Sequence, residues 1–140
     1  VTIIDDYAHH PTEIKVTLKA AKEKYPQARV IAVWQPHHQE RTQELFDDFV
    51  QSFAEADEVV ITDIYQVAGR ENKEVKVTAQ DLTQEITKQG NQVKYISTLD
   101  KAVDYLANYV KDGDVVLTMG AGDVTEVAGK LVEVLENKKS

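Results

Sequence analysis

Cysteine is absent from the 140 residues. That excludes disulfides, thiolate metal ligands and covalent thiol catalysis, and it suits a reducing compartment such as the cytoplasm. Only three prolines and six glycines occur, which excludes collagen-like and low-complexity classes. No apolar run approaches the ~20 residues of a membrane span, and no basic-then-apolar signal pattern stands at the first residues. Neither a G-x-x-x-x-G-K-[ST] phosphate loop nor a G-x-S-x-G nucleophile elbow is present. The chain alone therefore has few means of cleaving ATP or acyl bonds. Cations are also scarce: 16 Lys and Arg against 24 Asp and Glu give a net charge of −8. Such a surface repels nucleic acid and anionic membranes unless its cations cluster, so neither is expected as a partner. A loop that sets arginine beside histidine stands out against this background.

What is present reads as one ordinary globular domain spanning residues 1–140, with 42% hydrophobic and 29% charged residues. The sequence opens on Val1 inside an apolar run, which reads as one domain of a longer protein. The hydrophobic period switches repeatedly between two and 3.6. Strands are expected over Val1–Asp5, Arg29–Gln35, Asp57–Asp63, Gln92–Ser97 and Asp114–Met119. Helices are expected over Pro11–Tyr25, Arg41–Ala56, Thr78–Gln89, Leu99–Lys111 and Val124–Leu135, followed by a frayed tail. Pro11 suits a first helical position, and Leu45, Phe49 and Phe53 recur every four residues. A polar stretch, Tyr65–Lys76, separates the third strand from the next helix. The alternation predicts an α/β fold: a Rossmann-like, doubly wound, mostly parallel sheet of five or six strands with helices on both faces.

Ligands of such sheets bind beyond the carboxyl ends of the strands. There the sequence places Asp5-Asp6-Tyr7-Ala8-His9-His10 (first strand), Gln35-Pro36-His37-His38-Gln39-Glu40-Arg41 (second), Asp63-Ile64-Tyr65 with Gly69-Arg70-Glu71-Asn72 (third) and Gly120-Ala121-Gly122-Asp123 (fifth). All four histidines fall in the first two loops. The opposite edge carries plain turns such as Lys24-Tyr25-Pro26 and Lys111-Asp112-Gly113.

Each feature also has a purely structural explanation. Asp5 or Asp6 can solvate a strand end or cap a helix. Vicinal histidines point apart, so one pair does not chelate a metal by itself, and no His-x-His or His-x-x-x-His spacing is present. Gly120-Ala121-Gly122 lacks a third glycine, so it is as much a tight turn as a phosphate site, and Asp123 can cap the last helix. Trp34, late in the second strand, reads as packed core.

Taken together and in order, DDYAHHPTEI, QPHHQERT, TDIY…REN and TMGAGD resemble the C-terminal domain of the Mur ligases of peptidoglycan synthesis. The resemblance covers essentially the whole chain. It implies a three-domain, ATP-dependent, amide-forming ligase whose N-terminal UDP-sugar domain and central ATPase domain lie outside this chain. The substrates it implies are UDP-N-acetylmuramate and L-alanine, joined through an acyl phosphate, with Mg2+ held mainly by the central domain. The isolated domain is expected to be inactive. The resemblance assigns Asp6 to the ATP ribose and Tyr7 to the adenine. It assigns His9, His37 and Arg41 to the catalytic region, and His10, His38, Gly120 and Gly122 to the substrate side. At His38 many members carry arginine or a small polar residue, which a neutral imidazole does not replace. No residue is assigned to a metal. Three alternatives stay open: a related ligase that transfers whole murein peptides to the same sugar, a stand-alone His/Asp metal hydrolase, and a non-catalytic nucleotide-sensing or protein-interaction module.

Overall fold

Valine, isoleucine and threonine fill the segments that alternate or run apolar, and these become strands. The computed structural model describes residues 1–65 and 77–138. In chain order it contains β1 (Thr2–Asp6), α1 (Pro11–Lys24), β2 (Val30–Trp34), α2 (Gln39–Glu44) and α3 (Phe46–Val50), which runs into a 3₁₀ turn at Gln51–Phe53. Then follow β3 (Glu58–Ile61), α4 (Ala79–Lys88), β4 (Gln92–Tyr95), α5 (Leu99–Tyr109), β5 (Val115–Met119) and α6 (Thr125–Lys138). The five strands form one sheet in the order β1-β5-β2-β3-β4, and every pairing is parallel.

Side chains alternate across a strand, so β2 feeds two cores. Val30, Ala32 and Trp34 pack with Ile14 and Leu18 of α1, Phe49 of α3, and Leu82 and Ile86 of α4. Ile31 and Val33 face the other layer, with Val103 and Leu106 of α5 and Val127 and Leu131 of α6. Trp34 is 1% exposed and lies between Phe49 and Phe53, at ring separations of 4.9 and 5.0 Å. It is core, as its position in the strand suggested. No helix among the described residues is long and apolar enough to cross a membrane.

Local chemistry sets the helix starts. Thr78 and Asp81 cap α4 reciprocally, each side chain accepting the other's amide at 3.1 and 3.0 Å. Thr98 accepts the Lys101 amide at the start of α5. His10 takes the cap position of α1: its Nδ1 faces the Thr12 amide at 3.4 Å, and its own amide donates to Glu13 at 3.1 Å. The amides of His9 and His10, both donating to Glu13, with the charges of the two histidines, outweigh the cost of burial and hold its carboxyl below the usual range.

Two expectations need correction. The single helix over Arg41–Ala56 is broken at Leu45 (φ −106°, ψ 19°) into α2, α3 and the 3₁₀ turn. Hydroxyls that bond back to the carbonyl four residues earlier bend helices, and both halves contain one: Thr42 to His38 at 2.8 Å and Ser52 to Asp48 at 2.6 Å. The tail also does not fray at Glu136, because α6 runs on to Lys138. Lys138 Nζ reaches Ala107 O at 2.8 Å and Asn108 Oδ1 at 3.2 Å, tying the last turn to α5. The polar stretch, with Gly69-Arg70-Glu71-Asn72, lies outside the described residues except at Tyr65.

The amino edge of the sheet carries a buried ionic cluster. Arg29 grips Asp114 through Nε and NH2 at 3.2 and 2.6 Å, and its NH1 donates to Tyr109 Oη at 2.9 Å. Tyr109 and Tyr105 donate to the two oxygens of buried Glu58 at 2.6 and 3.3 Å. Burial first, then the Glu58 charge, pushes the Tyr105 hydroxyl up to about 12. Burial opposes ionisation of Asp114, but Arg29 and the Lys111 amide outweigh it and keep that carboxyl low.

One row of paired residues crosses the whole sheet: Asp6, Met119, Trp34, Ile61 and Tyr95. Each is the last residue of its strand. The loops that follow therefore leave the sheet along a single rim.

Candidate functional site

The rim joins three of the histidine- and glycine-bearing segments directly. Past β2 the chain forms a parallel bridge between His37 and Tyr65, the latter arriving from β3. The Tyr65 amide donates to Pro36 O at 2.7 Å, and the His38 amide donates to Tyr65 O at 2.8 Å. The Tyr65 ring stacks on His37 at 5.0 Å and 13°, and His38 meets His37 edge-on at 4.0 Å. From β5, Gly122 packs so tightly that a methyl group there would stand 2.9 Å from Tyr65 Cγ.

His37 Nδ1 is buried without a hydrogen-bond partner among the described residues. Burial, and then the charges of His38, His9 and Arg41, hold the imidazole below its ordinary pKa. The β1–α1 loop and α2 thus turn basic groups toward the same ring, so the acidic chain concentrates them at one point. His9 sits at the start of this cluster, with Nδ1 against Tyr7 O at 2.8 Å and its ring at 5.0 Å from the Tyr7 ring.

The sign of the pH effect follows. A histidine with a lowered folded pKa leaves the extra proton on the unfolded chain, so stability rises with pH across the gap. The His37 contribution is intact above about pH 6.5, the unfolded value, and is lost as pH falls from there toward the folded pKa. Urea unfolding at pH 7.5 and 5.5 should show wild type losing more stability on acidification than His37→Gln. Equal losses would mean that the ring is not held neutral by its surroundings.

His38 occupies φ 63°, ψ 131°, a conformation that costs a non-glycine residue about 1–3 kcal/mol. It is held there by its amide bond to Tyr65 O and by Thr42, whose amide and hydroxyl both donate to His38 O. Nothing in the sequence singles out this position, because positive φ holds only a few per cent of non-glycine residues even though histidine is enriched among them. Arg41, one turn further along α2, is partly exposed.

The two aspartates of β1 divide the work. Asp5 accepts hydroxyl bonds from Thr118 at 2.7 Å and from Thr125, clamping β1 to β5 and α6. Asp6 accepts the Ala8 amide on Oδ1 at 2.8 Å, and a carboxylate has about four lone-pair sites, so capacity remains for a ligand's hydroxyls. Tyr7 beside it is 69% exposed.

Sequence alone assigns Gln35 no role beyond a strand end and Asp123 none beyond a candidate helix cap, yet they organise the glycine turn. Buried Gln35 donates to Asp123 Oδ1 at 3.0 Å and accepts the Val124 amide at 3.2 Å. Asp123 thus spends that oxygen on Gln35 rather than on the helix cap that its position also allowed. Gly120 takes φ +151°, and a Cβ there would stand 3.0 Å from Gln35 O, so the turn requires glycine. Among the described residues, no group of three histidine or acidic side chains could hold a metal ion.

Comparison with known proteins bears on the family and the fold. The family described as Mur ligase, glutamate ligase domain, matches residues 1–122. A UDP-N-acetylmuramate–L-alanine ligase of Caldanaerobacter subterraneus subsp. tengcongensis is 50% identical over 139 residues, and one of Desulforamulus reducens is 46% identical over 140. Each match covers 99% of this chain but 29% of the relative. The crystal structure of a UDP-N-acetylmuramate–alanine ligase from Thermotoga maritima superposes with a TM-score of 0.78 at 26% identity, covering 97% of this chain and 27% of that one.

Proposed function

The chain belongs to the Mur ligase family, as its glutamate ligase domain, and from that premise we propose that it is the C-terminal domain of an ATP-dependent ligase joining L-alanine to UDP-N-acetylmuramate. The reaction activates the lactyl carboxylate as an acyl phosphate, which the alanine amino group attacks to give an amide, ADP and phosphate. The observation that carries this reading is the cluster at His37, where His38, His9 and Arg41 converge on a ring whose buried nitrogen has no partner among the described residues. Half-identity to ligases of that name supports the choice of amino acid over a peptide.

In this reading Asp6 accepts the ribose hydroxyls of ATP, and exposed Tyr7 lies along the adenine. The guanidinium of Arg41 holds a carboxylate or phosphate through its planar fork. His37, neutral near pH 7, offers a lone pair to the ammonium side of the amino acid, and His9 lies beside it. His10, His38, Gly120 and Gly122 line the substrate side, the glycines admitting a close approach of backbone. An acyl phosphate is lost to water, so a domain that closes these loops over a partner domain both completes the charge clamp and excludes solvent. The other domains of the same protein are its partners, and a cytoplasmic location belongs with the substrates. The Mg2+ of such a reaction finds no three-ligand group among the described residues. In this reading the central domain would hold it.

Arg41→Lys in the full-length protein tests the assignment. It keeps the charge and loses the fork, so kcat/KM should fall by about tenfold or more, the worth of one charge-assisted hydrogen bond. Undiminished activity would remove the bidentate role.

A further inference from the structure

Gln35 is 7% exposed at the end of β2, and its amide spends both of its ends on the glycine turn and the start of α6. Gly122 is wedged between this side chain and Tyr65: the point where a methyl group would sit is 2.8 Å from Gln35 Oε1 and 2.9 Å from Tyr65 Cγ. Tyr65 is pinned by two backbone bonds to the loop that carries His37, and its ring lies flat against the imidazole. A continuous packed path therefore runs from Gln35 through Gly122 and Tyr65 to His37. There is no room for an extra methyl group along this path, and packing this dense transmits a displacement from one end to the other.

We propose that Gln35 is a positioning residue: acting through Gly122 and the Tyr65 ring, it fixes the orientation of His37, so that the glycine turn and the imidazole move as one unit. A substrate that displaces the turn then alters the ring that the incoming amino acid meets. The coupling stands on geometry alone, whereas the amino acid as the ring's partner rests on the ligase reading. The groups facing His37 are His38 and Arg41 from its own loop and α2, His9 from the β1–α1 loop, and Tyr65 from the β3 side. Gln35→Met adds and removes no charge, so it reaches His37 only by moving these groups.

The test is an NMR titration of the imidazoles in the 140-residue chain. Gln35→Met should shift the His37 midpoint by about half a pH unit or more and leave His10 where it is in wild type. In a Tyr65→Leu background the same substitution should add no further shift, because the path is already cut. If Gln35→Met does not fold, Gly122→Ala, which drives a methyl group against Tyr65, reads the same coupling. A folded variant with an unmoved His37, or with His37 and His10 moving together, would overturn the proposal and leave Gln35 as a fastener of α6. In the full-length ligase, Gln35→Met should raise the KM for L-alanine more than that for ATP. A shifted His37 without that split upholds the coupling and sinks the assignment of the ring to the amino acid.

Discussion

Asp6→Ala in the full-length protein is expected to raise the apparent KM for ATP by about ten- to a hundredfold. A hydrogen bond to a charged group contributes about 1.5–3 kcal/mol, and each 1.4 kcal/mol is a factor of ten. The carboxylate also anchors the Ala8 amide, so alanine loosens the turn that carries Tyr7 and His9. Asp6→Asn separates the two effects: it keeps an acceptor for the Ala8 amide but loses the charge, and should recover only part of the affinity. Asp5→Ala provides the contrast, since Asp5 is bonded to Thr118 and Thr125 and its loss should lower stability with little change in KM. If Asp6→Ala left the KM for ATP unchanged, the ribose assignment would fall.

Arg29→Met is expected to destabilise the chain by about 3 kcal/mol and to lower its melting temperature by about 10 °C. The substitution strands Glu58 and Asp114, whose side chains are 9% and 8% exposed, without their shared cation. Breaking a buried pair from one side costs about 3–5 kcal/mol, and the lower end applies because the Arg29 side chain is itself 29% exposed. Adding Asp114→Asn should recover part of the loss by removing one uncompensated charge. Thermal melts of the three proteins decide the matter, and a shift under about 2 °C for Arg29→Met would show the cluster to be energetically idle. The cluster lies at the amino edge, away from the rim, so the site's chemistry should survive below the new melting point.

The alternation of apolar periods made the sheet and its two helical layers legible, and with them the edge where the histidines and glycines gather. That worked because strand residues such as Val30–Trp34 are buried on both faces and read as continuous apolar runs. The break at Leu45 was not legible, because the four-residue spacing of Leu45, Phe49 and Phe53 survives a bend. The extent of α6 depended on Lys138 finding acceptors on α5, thirty-one residues away at Ala107. Gln35 was the largest gap. Its partners, Asp123 and Val124, lie 88 and 89 residues further along, and no local pattern encodes a bond that only the folded sheet creates. The site residues came mainly from the resemblance; what the structure adds is that His9, His38 and Arg41 all act electrically on His37.

The most direct measurement is phosphate release from ATP that requires both UDP-N-acetylmuramate and L-alanine, followed in the full-length protein and in the 140-residue chain side by side. The full-length protein should release phosphate in step with amide formation, and the chain alone should release none. Ligation by the isolated chain, or a full-length protein that forms no amide with L-alanine, would contradict the account.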